Sequence, residues 1–165
     1  MKTICNIDNG KMMIGPVAVS FPALFHPTSR NEVEKKKYSA HFLIEKGSEI
    51  EKKIRAAGFG SILLDGSSKA DKYPEYANML YINAKSDRAP VIKDKNNAPL
   101  LEEAEMYGGC LVYASLNTYT NSYGTFAGLR GVMKVADGEP FGGDGGNANN
   151  DFDRLSVPST DDEDF

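Results

Sequence analysis

Five short stretches of the chain alternate apolar and polar residues, which is the period of a β-strand with one buried face. The clearest stretch is residues 110–120, where Cys110, Val112, Ala114 and Leu116 share one face. In chain order the five stretches are residues 12–19, 37–45, 78–85, 110–120 and 126–136. A chain whose apolar residues follow this period has to bury them in sheets, so we predict a mainly β fold.

Helix signals are fewer. Ser48 and Glu51 form a capping box that starts a helix, and Gly58 ends it. A second short helix is predicted at about residues 101–107. Five short strands with one or two short helices predict a small antiparallel barrel, and the five-stranded OB fold is one such design. An SH3-like barrel or an α+β sandwich would suit the same pattern.

Charge is divided unevenly along the chain. Residues 137–165 hold nine acids and one base, a net charge of −8, whereas the preceding 136 residues carry +4. The glycine- and asparagine-rich run 142–150 predicts a flexible linker. We therefore predict an OB-fold domain over residues 1–141, followed by a linker and a disordered acidic tail over residues 142–165.

The end of the tail combines acids with a terminal aromatic residue. We predict that it docks on partner proteins or occupies a basic groove, although a purely solubilising tail remains an alternative. The predicted partner-binding residues are Asp161, Asp162, Glu163, Asp164 and Phe165.

Enzyme signatures are missing from the sequence: there is no phosphate-binding loop, GxSxG elbow or HExxH motif. Cys5 and Cys110 lie far apart, and with His26 and His41 they give no metal-ligand spacing. We predict no catalytic residue, no metal and no cofactor. No stretch approaches the roughly 18 apolar residues of a membrane span, and no signal-peptide pattern opens the chain, so a cytosolic protein is expected.

Tyrosines fall on the polar faces of several predicted strands, among lysines, arginines and amides. Such rings can stack on nucleobases while the cations attract phosphates. Cross-strand packing at the surface would place tyrosines there equally well. Tyr123 and Phe126, in a predicted loop, could also stack. The candidate DNA-binding residues are Tyr81, Lys85, Arg88, Tyr113, Asn117, Tyr119, Lys72, Arg130 and Lys134.

Four segments, residues 38–46, 69–90, 107–119 and 131–143, followed by the final DDEDF, resemble the phage single-stranded DNA-binding proteins with an OB fold. The T7-type member of that design also has an acidic tail that ends in phenylalanine. The resemblance implies coating of single-stranded DNA (ssDNA) in phage replication, recombination and repair, in the cytoplasm of a bacterial host. It also implies tail contacts with phage or host replication proteins, and it allows a homodimer.

Two rival functions remain open at this point. One is a protein-interaction adaptor with an OB-like body and no nucleic-acid binding. The other is a small enzyme such as a nuclease, which would need a cluster of carboxylates or histidines that the alternation does not build.

Overall fold

The computed structural model describes residues 2–29 and 31–141. Within them lie eight strands and one α-helix, with short 3-10 turns between them. The strands are β1 (Ile4–Asp8), β2 (Lys11–Thr28), β3 (Lys37–Glu45), β4 (Leu64–Asp65), β5 (Met79–Ser86), β6 (Val91–Lys93), β7 (Leu111–Asn121) and β8 (Gly124–Ala136), and the helix is α1 (Glu49–Ala56). The 3-10 turns are Gly60–Ile62, Gly66–Lys69, Pro74–Tyr76 and Glu103–Glu105.

Five of the strands close into a barrel in the order β5-β3-β2-β7-β8. Four neighbouring pairs are antiparallel, and the fifth, β5 with β8, is parallel and joins Ala84 to Ala127. This is the strand order of an OB fold, so the predicted fold class is confirmed. The barrel differs from the predicted antiparallel one in a single strand pair, because β5 and β8 are parallel. The three short strands β1, β4 and β6 extend the sheet beside β2, β5 and β8.

The predicted alternation decides which side chains fill the barrel. Phe42 of β3, Ile82 of β5, and Val112 and Leu116 of β7 are fully buried in one core cluster. The alternate residues on the same strands therefore point out of the barrel.

Helix α1 is confirmed as predicted from its capping box. The Ser48 hydroxyl accepts a hydrogen bond from the backbone N–H of Glu51 at 3.3 Å, and the Glu51 carboxylate accepts from the N–H of Gly47. Ile50 and Ile54 face the core, and Gly58 follows the helix with φ of +91°. The helix thus packs two isoleucines against the barrel through its apolar stripe.

Strand β2 is longer than the predicted stretch of residues 12–19, since it continues past Pro22 to Thr28. Register shifts on both sides of the strand make room for its irregular residues, and Phe21 there has φ of +49°. Gly15 crosses β7 so closely that a Cβ atom would lie 2.6 Å from the Val112 carbonyl oxygen. Bulges bend a long strand, so one strand can pair with both β3 and β7 around the barrel.

The helix predicted over residues 101–107 is wrong in extent. Only the 3-10 turn Glu103–Glu105 forms there, and Met106 leaves it with a buried side chain. A helix of seven residues in front of two glycines would form few hydrogen bonds, too few to offset the unfavourable free energy of helix nucleation. The chain instead adopts the backbone conformation that buries Met106.

No helix in the described part of the chain is long and apolar enough to cross a membrane. The predicted linker and the predicted acidic tail, with Asp161, Asp162, Glu163, Asp164 and Phe165, lie outside the described residues. The domain boundary after residue 141 therefore stays a prediction.

Candidate nucleic-acid interface

The outward side chains of β3 and β5 form a polar surface across the middle of the barrel. Strand pairing sets Ser39 opposite Lys85 and His41 opposite Asn83. Their neighbours Ala40 and Ala84 are buried in the core, so the four polar side chains point outward.

This surface is the floor of a continuous groove. Two depressions of about 470 and 480 Å³ meet here, because Lys37, Asn83 and Lys85 line both of them. The first continues toward the loop that follows β2, and the second toward the hairpin that joins β7 to β8. We call the joined depressions the β3–β5 groove. Lys37 and Lys85 place positive charge along its floor.

Three aromatic residues stand at the hairpin end of the groove. Tyr119, Tyr123 and Phe126 line the depression there and are 45%, 88% and 39% exposed. The rings of Tyr119 and Phe126 pack against each other at 5.8 Å between centroids. We call these three residues the hairpin aromatics. Large apolar rings that remain exposed beside cations are available to stack on a ligand.

A second aromatic group lies at the other end of β3 and β5. His41 stacks on Tyr81 with centroids 4.7 Å apart, and Phe21 meets Tyr73 edge-on at 4.8 Å. Tyr76 is fully buried beneath them, whereas Phe21 is 46% exposed. Lysine ammonium groups approach two of the rings, Lys69 over Tyr81 at 5.6 Å and Lys72 over Tyr73 at 5.5 Å. We call this group the aromatic cluster.

A buried hydrogen-bond relay holds the histidine of the cluster. The Tyr76 hydroxyl donates to the Ser20 hydroxyl at 3.0 Å, and Nδ1 of His41 lies 2.6 Å from the same Tyr76 oxygen. Burial, with the nearby charges of Lys69 and Lys85, lowers the pKa of His41 to about 4. Burial raises the pKa of Tyr76 to about 12. Both side chains are therefore neutral at physiological pH, and the relay fixes the orientation of the imidazole.

This shift predicts a loss of stability in acid. The pKa of His41 is lower in the folded chain than in the unfolded chain, so below pH 6.5 the unfolded state binds the extra proton. We expect the free energy of unfolding to fall by up to about 3 kcal/mol as pH drops from about 6.5 to about 4. Urea unfolding across this range measures it. His41→Asn should make the free energy of unfolding less dependent on pH. His26→Gln, a change at an exposed ring, should leave this pH dependence as it is.

The structure brings some of the sequence-predicted residues together. Lys85 and Tyr119 line the β3–β5 groove, and Lys72 covers Tyr73 in the aromatic cluster. Tyr81 belongs to the same surface, but it is only 9% exposed, which corrects the expectation that its ring is free. His41 covers one face of the Tyr81 ring, and Lys69 approaches it as well.

Other predicted residues lie away from the groove. Tyr113 and Arg130 line a separate pocket on β7 and β8, where the Tyr113 hydroxyl donates to the carbonyl of Lys2. Asn117 packs over Gly128, so closely that a Cβ atom there would meet its side-chain oxygen at 2.6 Å. Arg88 is exposed in the turn after β5 and is not among the residues that line the groove.

Lys134 is buried, contrary to the exposed position expected from the last strand. Its ammonium group lies 2.7 Å from Asp137 and 3.2 Å from Glu105, and 5.0 Å from the ring centroid of Tyr107. Burial opposes its charge, but the hydrogen bonds to Asp137 and Glu105 outweigh this effect and raise the pKa of Lys134. The side chain therefore ties the end of β8 to the Glu103–Glu105 turn.

This position predicts a structural effect for a substitution at Lys134. Lys134→Ala removes a packed side chain and two ion pairs, and we expect it to lower the free energy of unfolding by about 1–2 kcal/mol. Lys85→Ala, at an exposed lysine, is the matched control and should change stability by less than about 0.5 kcal/mol. Parallel urea titrations check the difference. Equal stability of both variants would contradict the structural role of Lys134.

Several groove residues were not among the predicted site residues. Ser39, His41 and Asn83 lie on the floor of the groove, and Phe21, in the neighbouring aromatic cluster, is carried outward by the irregular part of β2. The alternation of residues 37–45 already placed Ser39 and His41 opposite the apolar face, so this signal was present in the sequence. The exposure of Phe21 had no such signal, because it depends on a register shift.

Comparison with known proteins identifies the family to which this chain belongs. The model of the family described as the ssDNA-binding protein of Enterobacter phage Enc34 matches residues 47–165. The chain belongs to the Enc34 ssDNA-binding protein family. A further relative is protein p50 of Acyrthosiphon pisum secondary endosymbiont phage 1, which is 32% identical and aligns over 89% of this chain and 95% of the relative. The resemblance to phage single-stranded DNA-binding proteins is thus confirmed.

Solved structures show the same fold. The single-stranded DNA-binding protein of bacteriophage Enc34, solved in complex with ssDNA, superposes with a TM-score of 0.68 at 24% identity, over 85% of this chain and 97% of that one. The single-stranded DNA-binding protein gp2.5 of bacteriophage T7 gives a TM-score of 0.54 at 12% identity, over 78% and 93%.

Two of the segments that resemble phage proteins meet in this Enc34-family chain. The backbone N–H of Phe141 donates to the carbonyl of Gly108 at 2.9 Å, and the N–H of Gly138 donates to the Tyr107 hydroxyl at 3.0 Å. Phe141 also packs against the buried cluster of Leu43, Tyr76 and Tyr81. The last described residues therefore end next to the aromatic cluster.

Proposed function

We propose that this chain is a sequence-independent ssDNA-binding protein of a phage, without enzymatic activity, that coats and protects ssDNA during replication, recombination and repair. The observation that carries the proposal is the β3–β5 groove, which joins two floor lysines to the hairpin aromatics on an OB barrel. Membership of the Enc34 family supports it.

The groove supplies the two interactions that ssDNA binding requires. Lys37 and Lys85 attract phosphates along the floor, and the exposed rings of Tyr123 and Phe126 offer faces for bases. Base stacking on an aromatic side chain contributes roughly 1–3 kcal/mol per base and tolerates any base. Neither ring stacking nor phosphate attraction depends on which base is bound, so binding independent of sequence follows.

The predicted acidic tail belongs to the same proposal. Its charges compete with DNA for the floor lysines, and its end contacts phage or host replication proteins. The body ends beside the aromatic cluster, which lets the following residues reach the groove. A homodimer and a location in the host cytoplasm complete the proposal, and sedimentation of the full chain tests the dimer.

A salt series tests the proposed function directly. The chain has no tryptophan and eight tyrosines, so its intrinsic tyrosine fluorescence reports on stacking. We expect oligo(dT) to quench this fluorescence, and the logarithm of the affinity to fall with the logarithm of salt with a slope of roughly −0.7 per phosphate contacted. Duplex DNA of the same length is the control. No quenching at low salt would instead favour the protein-interaction adaptor.

A further inference from the structure

An apolar pocket of about 510 Å³ opens on the outside of the barrel, away from the β3–β5 groove. It is lined by residues of β1, β2, β6, β7 and β8, and no residue lines both it and the groove. Met13 and Val91 in its wall are 39% and 56% exposed. We call it the β6–β8 pocket, and its apolar wall is formed by Ile4, Met13, Val91, Tyr113, Val132 and Met133.

The pocket has the features of a site for a peptide. Apolar side chains exposed together in a concave surface favour an interaction site, and methionines adapt their shape to a ligand. The volume is within the usual range for pockets that hold a small molecule or a side chain.

The rim of the pocket is positively charged. Lys93 and Arg130 both line it, and among residues 2–29 and 31–141 no carboxylate lies within ion-pair distance of either side chain. The Lys93 ammonium group donates to the carbonyl of Asn97, at 3.3 Å. An apolar wall with two available cations fits a ligand that combines an aromatic side chain with acidic neighbours.

The chain itself carries such a ligand. The 24 residues 142–165 contain seven acids and one arginine, and they end in four consecutive acids and Phe165. We propose that the β6–β8 pocket binds the chain's own C-terminal end, residues 161–165. The Phe165 ring enters the apolar wall, and the acids face Lys93 and Arg130.

Reach and effective concentration favour the chain's own end over that of a second copy. About 20 residues separate Phe141 from this end, and a glycine-rich chain of that length spans roughly 25 Å on average. That distance is comparable to the width of a small domain. A tethered ligand reaches an effective concentration of about a millimolar. A second copy in dilute solution offers its tail at a lower concentration than this, so the chain's own end is favoured.

Docking of residues 161–165 in the β6–β8 pocket is a separate interaction from DNA binding, and it does not require that the chain binds DNA. A tail end that is held in the β6–β8 pocket cannot lie in the β3–β5 groove, so docking lowers, without abolishing, the competition between the tail and DNA. The pocket also hides Phe165 from partner proteins. It would thus give the tail a resting position distinct from both of its proposed activities.

Methionine methyl groups report on this docking in the full-length protein. With ¹³C-methyl methionine and no DNA, we expect Phe165→Ala to shift the resonances of Met13 and Met133, which line the pocket. The resonances of the buried Met12 and Met106 should stay unchanged and serve as internal controls. Unshifted Met13 and Met133 resonances would overturn the proposal, as would shifts that disappear on tenfold dilution.

A pocket variant provides the second test. Val91→Asp puts a like charge where the acidic end would lie, so in this variant we expect Phe165→Ala to cause no further shift of the Met133 resonance. In Val33→Asp, the matched control at a 93% exposed valine outside the pocket, Phe165→Ala should still shift this resonance. If Val91→Asp impairs folding, Arg130→Gln tests the same contact. Since no DNA is added, failure of docking and failure of ssDNA binding are separate results.

Discussion

Replacing Tyr119 and Tyr123 together by alanine is expected to weaken oligo(dT) binding by about 2–4 kcal/mol, roughly 30- to 1,000-fold, through the loss of two stacking faces. Tyr123 is 88% exposed at the tip of the hairpin, and Tyr119 lines the groove below it. Both positions can lose their rings without opening the core. Fluorescence anisotropy of a labelled oligo(dT) at a fixed, low salt concentration measures the affinity.

Tyr113→Ala is the matched control for this pair. Tyr113 lies on the same strand as Tyr119, but its ring lines the β6–β8 pocket, so in a chain that lacks residues 144–165 we expect its removal to leave oligo(dT) affinity within about twofold. This result would separate the two tyrosines that strand alternation alone treats as equal. If the Tyr113 variant loses affinity and the hairpin variant keeps it, the DNA lies across β7 and β8 and the proposed interface is wrong.

Removing residues 144–165 is expected to tighten oligo(dT) binding by about tenfold at low salt. The deleted segment holds seven acids and one arginine, a net charge of −6. A tethered polyanion at an effective concentration of about a millimolar, with a weak affinity near 10⁻⁴ M for the groove, reduces DNA affinity by about this factor. All described strands remain in the shortened chain.

A second variant separates charge from the terminal ring. Changing Asp161, Asp162 and Asp164 to Asn and Glu163 to Gln keeps Phe165 and removes the acids next to it. We expect this full-length variant to reproduce part of the gain in affinity, and we expect the gain to shrink as salt screens the charges. Unchanged or weaker DNA binding after truncation would contradict competition by the tail.

The strands and the helix were largely predictable because their signals are local. Four of the five alternating stretches became strands within about two residues of their predicted ends, and the Ser48 cap placed α1. Strand β2 was predicted too short because proline usually ends a strand, whereas here register shifts accommodate it. The short strands β1, β4 and β6 were missed, since they hold few residues and depend on a neighbouring strand for pairing.

The candidate site was predictable only in part. Alternation correctly separated inward from outward side chains, which is why Lys85 and Tyr119 were found. It could not distinguish a free outward tyrosine from one that another ring covers, as His41 covers Tyr81. It also could not tell which outward residues share a groove, since Tyr113 and Tyr119 lie on one face of one strand but line different depressions.

By itself the sequence determined the class of fold, the direction of each side chain along its strand and the contrast between a basic body and an acidic end. These properties follow from the two-residue alternation of apolar and polar side chains and from the local composition, both of which depend only on residues close together in the chain. Only the tertiary structure decided that β5 and β8 close the barrel, that Lys37 and Lys85 lie in one groove and that Lys134 is buried against two acids. These depend on contacts between residues far apart in the chain, and side-chain burial and electrostatics follow from that packing.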